Sequence, residues 1–262
     1  MEGNTKLIAV SIISHKHGSM VERLVESLLE CDEVTQIIVT RNVPEVLLLP
    51  ACDRITLLDN TLPKGFGENH NAAFERIKQP FFCPLNPDIS LIDNPFRPLL
   101  AELRNTGGGI AAPLVLAPDG VVEDSVRRFP TVASLLHKIG GGQGGRYNPK
   151  LNDPIFCPDW VAGMFMLFRS EDYEKLGGFD PKFFLYYEDV DLAWRLRRTV
   201  RPFRSFTETS ITRPPGGTHR RGTSSWPATI CRRVGRYATV LPSSRPASVW
   251  ASTSWPPGSP GA

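Results

Sequence analysis

Residues 159–198 read DWVAGMFMLFRSEDYEKLGGFDPKFFLYYEDVDLAWRLRR. An apolar strand interrupted by Gly163 is predicted over residues 161–168, followed by a short helical segment and a Gly-Gly-Phe-Asp turn. An aromatic run then leads to three acids, Glu188, Asp189 and Asp191, at the start of a second helix. Aromatic side chains beside clustered carboxylates suit a site that holds a sugar ring and removes a proton.

Upstream of this stretch, short apolar runs alternate with segments of helical periodicity. The runs predicted as strands cover residues 6–13, 36–40, 55–58, 81–85 and 110–116. The helices are predicted to begin at Ser19, where Glu22 completes a capping box, and to cover residues 69–78 and 95–104. This alternation favours an α/β fold with a mostly parallel sheet flanked by helices.

Polar residues follow the predicted strands where each one ends. They are His15 and His17 after the first strand, Arg41 and Asn42 after the second, Asp59 and Asn60 after the third, and Asp88 after the fourth. Ligands of such sheets bind outside the carboxyl ends of the strands. We therefore expect these residues to border a binding site.

Charge and cysteine content exclude several classes of protein. The formal net charge of +3 arises from nine arginines after residue 199, where Glu208 is the only acid, so the rest of the protein is acidic and no nucleic-acid partner is expected. The five cysteines share no CxxC spacing, and neither a signal peptide nor a run of about 18 apolar residues is found. These features predict a cytoplasmic protein, free or attached to the inner face of the cell membrane.

Residues 213–262 differ in composition from the rest of the protein. Arginine, proline, serine and glycine dominate them, and Pro-Pro-Gly sequences break any helix. Two hypotheses fit this composition: a disordered basic tail, or a native C-terminus replaced after a frameshift.

The motifs together resemble the family 2 glycosyltransferases, in particular their rhamnosyltransferase-like bacterial branch. The most specific match is Gly-Gly-Phe-Asp followed by Phe-Phe and by Glu-Asp-x-Asp-Leu-x-x-Arg over residues 177–195. The resemblance covers about residues 6–212 and implies a GT-A fold, with a nucleotide-sugar-binding half (residues 1–105) and an acceptor-binding half (residues 106–212). It does not extend to the tail, which holds His219, the only histidine available for a metal-binding or diphosphate-binding role that some family members place there.

On the donor side, the resemblance assigns a metal ligand and a nucleotide-binding segment. Asn86-Pro87-Asp88 is similar to the family's Asp-x-Asp site, with Asp88 as ligand of Mg²⁺ or Mn²⁺, although the same triplet also suits a turn. Residues 60–71 (NTLPKGFGENHN) are similar to the segment under the donor nucleotide. The residues implied in donor binding are Asn42, Asp59, Asn60, Gly65, Phe66, Asn71 and Asn86.

On the acceptor side, the resemblance assigns the catalytic base and the acceptor contacts. Asp189 is the implied base and Glu188 its catalytic neighbour, while the acceptor would meet Asp159, Trp160 and Gly163. Trp160 at the start of a strand also fits a core position. Independently of the resemblance, Asp191 and Arg195 are four residues apart on a predicted helix, which favours an ion pair.

The expected activity is inverting transfer of a rhamnose-like sugar from dTDP-rhamnose or a UDP-sugar to a hydroxyl of a bacterial surface polysaccharide or lipid-linked glycan. Two alternatives stay open. One is an impaired or non-catalytic nucleotide-binding remnant caused by the aberrant C-terminus. The other is a sugar-nucleotide pyrophosphorylase, against which stands the lack of a Gly-x-Gly-Thr-Arg loop after the first strand.

Overall fold

The computed structural model describes residues 7–107, 109–117, 119–129, 147, 149, 157–198 and, as backbone, 203–212. The strands are β1 Ile8–Ser14, β2 Val34–Arg41, β3 Ile55–Asp59, β4 Phe81–Leu85, β5 Ser90–Leu91, β6 Ile110–Leu116, β7 Val126–Arg127, β8 Trp160–Val161, β9 Leu167–Arg169 and β10 Phe203–Thr212. The helices are α1 Ser19–Leu29, α2 Phe66–Phe74, α3 Phe96–Thr106, α4 Ser170–Leu176 and α5 Glu188–Arg197.

A mostly parallel sheet of eight strands, in the order β3-β2-β1-β4-β9-β6-β10-β5, forms the centre of the fold. The strands β3, β2, β1 and β4 run parallel to one another, as do β6 and β10, whereas β9 and β5 are antiparallel to their neighbours. The predicted α/β fold is therefore confirmed. The register pairs Ser14 with Arg41 and Arg41 with Asp59, so the carboxyl ends of the first three strands lie at one edge.

The predicted strand over residues 161–168 is wrong in its extent, because two short strands form there. The first, β8, pairs with β7 in a separate two-stranded sheet, and the second, β9, inserts between β4 and β6. Residues 162–166 cross from one sheet to the other, with a single bridge between Phe165 and Leu85. A continuous apolar run does not reveal that its two ends have different partners.

Helix starts also differ from the sequence prediction. The predicted capping box at Ser19 is wrong: Gly18 occupies the N-cap of α1 and provides no side-chain hydrogen bond, and the Glu22 carboxylate accepts the backbone N–H of Leu48 at 2.7 Å. Helix α2 begins at Phe66, three residues earlier than predicted. Asn71 consequently lies in its second turn.

Two apolar clusters cover the two faces of the main sheet. Alternate residues of β1 separate them, since Ile8, Val10 and Ile12 belong to the cluster under α1 and α3, whereas Ala9 faces the cluster under α2, α4 and α5. Both faces are thus buried, as expected for parallel strands.

Several predictions concern residues that the structure does not describe. The tail over residues 213–262, including His219, lies outside the described residues, and the predicted domain boundaries stay predictions. Within the described part of the protein, no helix combines the length and apolar character that crossing a membrane requires.

Candidate active site

Gly163 and Met164, in the crossing between the two sheets, bring three sequence motifs together. The Gly163 N–H donates to Oδ2 of Asp189 at 3.1 Å, and the Met164 carbonyl accepts the backbone N–H of Asn86 at 3.0 Å. A Cβ at Gly163 would lie 3.4 Å from the Phe66 ring. The predicted base, the Asn-Pro-Asp motif and the donor segment therefore meet at two consecutive residues.

The two predicted catalytic carboxylates begin helix α5, where Glu188 is buried and Asp189 is partly buried. Glu188 is buried, and its Oε2 atom has no hydrogen-bond partner among the described residues. Asp189 accepts the Val190 N–H at 2.8 Å in addition to that of Gly163. Burial raises the pKa of both carboxyl groups, and the charge of Asp189 raises that of Glu188 further. The two N–H groups work in the opposite sense at Asp189, because they stabilise its ionised form.

Asp88 lies just beyond the end of β4 and is only 3% exposed. His17, in the loop after β1, lies within electrostatic reach of Asp88 and Glu45, yet burial is the larger influence and lowers the pKa of His17. Its Nδ1 atom accepts the His15 N–H at 2.8 Å, so the ring proton of the neutral form is on Nε2. The Nε2 atom of neutral His17 is therefore a hydrogen-bond donor, and it has no lone pair with which to bind a metal ion.

A single carboxylate can serve a divalent cation that shares its coordination with a diphosphate. Within the described residues, no three potential protein ligands are grouped closely enough to hold a metal ion by themselves. Mg²⁺ is commonly bound by one or two carboxylates together with substrate phosphates. Asp88 fits that arrangement and does not fit a metal held by protein side chains alone.

Three asparagine amides shape the predicted donor loop. Oδ1 of Asn42 accepts the Nδ2 groups of Asn60 (2.8 Å) and Asn69 (3.1 Å) and the backbone N–H of Lys64 (2.8 Å). Nδ2 of Asn60 also donates to Oδ1 of Asn69 at 2.6 Å. These bonds fix the loop between β3 and α2. The predicted nucleotide contacts of Asn42 and Asn60 stay predictions.

Asp59, also predicted to bind the donor, is held by an ion pair at the sheet edge. Arg41 donates to both of its carboxylate oxygens, at 2.5 and 2.7 Å. This exposed ion pair connects the last residue of β2 to the last residue of β3.

The glycines of the donor segment allow close approach of other protein segments. A Cβ at Gly65 would lie 2.7 Å from the carbonyl oxygen of Phe184, and one at Gly67 would lie 2.5 Å from the Cβ of Phe179. The next residue, Phe66, donates its N–H to the same Phe184 carbonyl at 2.9 Å. These contacts join the donor loop to the aromatic run that precedes the carboxylates.

Asn71 uses both polar atoms of its amide to hold the Gly-Gly-Phe-Asp turn. Oδ1 accepts the Phe179 N–H (3.0 Å) and the Tyr173 hydroxyl (2.7 Å), while Nδ2 donates to the Phe179 carbonyl (2.8 Å). From the other side, Arg195 donates to the carbonyls of Leu176 and Gly178. The predicted pair of Arg195 with Asp191 is confirmed at 2.8 Å.

The predicted acceptor residues Asp159 and Trp160 lie beside β7. Asp159 accepts the Phe129 N–H at 2.8 Å and pairs with Arg197, and the Trp160 indole donates to the Arg128 carbonyl at 3.1 Å. The Arg127 guanidinium lies 5.7 Å from the centre of the Trp160 ring. Trp160 is only half-buried, so it is not a core tryptophan.

No protein-family model matches the protein. Over 204 residues it is 29% identical to rhamnosyltransferase WbbL of Escherichia coli strain K12, covering 72% of this protein and 76% of the relative. Over 218 residues it is 28% identical to N-acetylglucosaminyl-diphospho-decaprenol L-rhamnosyltransferase of Mycobacterium tuberculosis strain H37Rv, covering 73% and 71%.

Solved structures share the fold at low sequence identity. GalNAc-T7 with UDP, GalNAc and Mn²⁺ superposes with a TM-score of 0.63 at 14% identity, over 81% of this protein and 44% of that one. S. aureus TarS 1–349 with UDP-GlcNAc superposes with a TM-score of 0.59 at 11% identity, over 89% and 66%. The protein thus spans less than half of GalNAc-T7. The relatives are rhamnosyltransferases, and the protein is a glycosyltransferase that is similar to those of family 2.

Sequence reasoning overlooked two residues that build the site of this glycosyltransferase. Asn69 completes the amide cluster, and Tyr173 supports Asn71. His17, by contrast, was expected at the edge of the sheet, and it lies within electrostatic reach of Asp88 because the neighbouring parallel strands β1 and β4 end there. Asn69 and Tyr173 act through contacts that no local pattern marks.

Proposed function

We propose that this glycosyltransferase moves a rhamnose-like sugar, with inversion, from a nucleotide-diphosphate donor to a hydroxyl of a bacterial surface polysaccharide or lipid-linked glycan. The observation that carries the proposal is the meeting of the donor loop, Asn86 and Asp189 at Gly163 and Met164. A transferase needs its leaving-group site and its base on opposite sides of one sugar position.

In the proposed reaction, the acceptor oxygen attacks the anomeric carbon as its proton passes to the Asp189 carboxylate. The bond from that carbon to the diphosphate oxygen breaks, and the diphosphate leaves with the electron pair. One displacement from the opposite side inverts the anomeric centre. Gly163 N–H and Val190 N–H orient the carboxylate for this task.

Glu188 supports the same step by its protonation state. Its burial beside Asp189 favours the neutral acid, so a second negative charge does not accumulate at the start of α5. The raised pKa of Asp189 makes it a better proton acceptor than an exposed carboxylate.

Asp88 is the proposed protein ligand of a divalent cation, Mg²⁺ or Mn²⁺. When bound, that cation neutralises charge on the leaving diphosphate. The Nε2–H group of His17 is suited to an anionic partner on the same side.

Support for the donor and acceptor classes comes from what the relatives are named for. The mycobacterial relative is a rhamnosyltransferase with a diphospho-decaprenol-linked substrate, and the E. coli relative is a rhamnosyltransferase. We therefore favour dTDP-rhamnose over a UDP-sugar as the donor. A cytoplasmic site of action at the inner face of the membrane stays part of the proposal.

A thermal-shift titration with dTDP, UDP and GDP, each with and without Mn²⁺, tests the donor site. A ligand that binds only the folded state raises the melting temperature. At 100 times its Kd it adds about 2.7 kcal/mol to the free energy of unfolding. We expect a Mn²⁺-dependent shift with dTDP that Asp88→Asn removes. A cooperative melt that no nucleotide shifts would support the non-catalytic alternative instead.

A further inference from the structure

Four large apolar side chains are exposed beside the candidate site, and we call them the rim patch. They are Leu62 (75% exposed), Phe184 (63%), Leu185 (53%) and Tyr186 (55%). Isolated exposed apolar residues are common, but contiguous ones mark interaction surfaces. Three of these four are consecutive in sequence.

The rim patch borders both halves of the site. Gly65 and Phe66 contact the backbone of Phe184, and Leu62 precedes Gly65 by three residues, a span of at most about 11 Å. Tyr186 likewise precedes Asp189 by three residues. A partner on the rim patch is therefore in reach of the acceptor position.

The backbone of the aromatic run has an unfavourable conformation at two residues beside the exposed side chains. Tyr186 and Tyr187 both have positive φ angles, 69° and 72°. Such angles cost about 1–2 kcal/mol for each non-glycine residue and persist where surrounding contacts fix them. On either side of this pair the Phe184 carbonyl accepts the Phe66 N–H and the Tyr187 carbonyl accepts the Asp191 N–H, both at 2.9 Å.

Lysines flank the apolar centre. Lys64 follows Leu62 by two residues, and Lys182 precedes Phe184 by two, and both are partly or fully exposed. Lys64 lies 3.4 Å from Glu68 in an exposed pair, which holds it only weakly. Apolar side chains with lysines at their border are typical of surfaces that lie on a lipid–water interface, where phosphate headgroups meet acyl chains.

We propose that the rim patch docks on the lipid surface that carries the acceptor. The inference rests on the proposed function for its lipid-linked acceptor, because a membrane-bound acceptor reaches Asp189 only if the site edge faces the membrane. Phe184 and Leu185 enter the interface, and Lys64 and Lys182 meet headgroup phosphates. Docking then delivers the acceptor beside the base.

Co-sedimentation of the protein (residues 1–262) with phosphatidylcholine vesicles, with and without phosphatidylglycerol, tests the rim patch. Each large apolar side chain removed from the interface weakens partitioning by about tenfold. We expect F184S/L185S to lower the partition coefficient by at least that factor. The control Ile92→Ser removes an exposed isoleucine that follows β5, the strand at the opposite end of the sheet from β3, and leaves partitioning unchanged.

Equal partitioning of F184S/L185S and the parent protein overturns the proposal. The proposal is also overturned if, without vesicles, the parent protein is a dimer and the double variant is a monomer, because the rim patch would then join two copies of the protein. The measurement uses no nucleotide or acceptor. If the protein binds vesicles but no nucleotide shifts its melting temperature, the proposed function is contradicted and the docking role of the rim patch is not.

Discussion

At the scale of single residues, the state of Asp189 depends on two opposing influences. Burial disfavours its charge, and the N–H groups of Gly163 and Val190 favour it. Burial is the larger influence, so the pKa of the carboxyl group is raised. A base tuned in this way gains proton affinity and loses part of its ionised fraction at acidic pH.

Asp189→Asn is expected to lower turnover about 100- to 10,000-fold, because an amide does not take the acceptor proton. The Asn oxygen still accepts the Gly163 N–H, so the nucleotide-induced thermal shift should be kept. In the parent protein, turnover should rise with pH across the neutral range as Asp189 ionises. Steady-state rates of both proteins against pH provide the measurement, and Glu171→Gln on the exposed side of α4 serves as a control.

Glu188 makes stability depend on pH in a defined direction. Its pKa in the folded protein is raised by burial, so the folded state binds more protons than the unfolded state between the two pKa values. The free energy of unfolding should therefore fall as pH rises from about 4 through the folded-state pKa.

Glu188→Gln should remove much of that loss, so the variant gains stability relative to the parent protein as the pH is raised. Urea unfolding at several pH values compares the two proteins. A difference in unfolding free energy that is constant with pH would contradict the raised pKa.

At the scale of elements, the Gly-Gly-Phe-Asp turn joins α2 to α5. Asn71 holds it from α2 and Arg195 from α5, while Phe179 packs edge-on against Phe66 with ring centres 5.6 Å apart. The helix under the donor loop and the helix that carries the base are thus connected through two residues of the turn, Gly178 and Phe179.

Asn71→Ala should destabilise the protein by about 2–4 kcal/mol, since it leaves the Phe179 N–H and C=O and the Tyr173 hydroxyl without their partner. Tyr173→Phe removes one of these bonds and should cost about 1 kcal/mol. Chemical denaturation measures both. Because the amide is occupied by the turn, we expect Asn71→Ala to keep the nucleotide-induced thermal shift, and loss of that shift with unchanged stability would favour direct donor contact.

Gly67→Ala tests the close packing of α2 against the same turn. Its Cβ would lie 2.5 Å from the Phe179 Cβ, so one of the two segments must move, at a cost of about 1–3 kcal/mol. Gly163→Ala is the matched control, because its Cβ would meet the Phe66 ring at an ordinary 3.4 Å. Thermal denaturation of the two variants should rank Gly67→Ala clearly below Gly163→Ala.

At the scale of the whole molecule, the sheet interleaves segments from both predicted halves. Strand β9, from the second half, lies between β4 of the first half and β6 of the second. The described part of the protein should therefore unfold in a single cooperative transition. Calorimetry tests this through agreement between the measured and van't Hoff enthalpies, and two separated transitions would contradict it.

The sequence predicted those features that local patterns encode. The bounds of β4 and β6 agree with the predicted residues 81–85 and 110–116, because uninterrupted apolar runs between turn residues mark buried strands. The edge location of Asn42, Asp59 and Asp88 followed from the alternation of strands and helices.

Features that depend on distant partners were beyond such patterns. The division of residues 161–168 between two sheets depends on β7 and β4, and the role of Asn71 depends on Phe179, 108 residues away. Likewise, Gly67 closely approaches the side chain of Phe179, which follows it by more than a hundred residues. Residue type alone does not distinguish these partners from a ligand.

The junction at Gly163 and Met164 has a consequence for how such a site is inherited. It holds Asp189 and Asn86 through one backbone N–H and one backbone carbonyl, groups that every amino acid except proline provides together. A substitution at position 164 leaves both backbone groups in place, so it acts on the packing of the apolar cluster under α1 and α3 and not on these two hydrogen bonds. What must be inherited at this junction is therefore the course of the backbone.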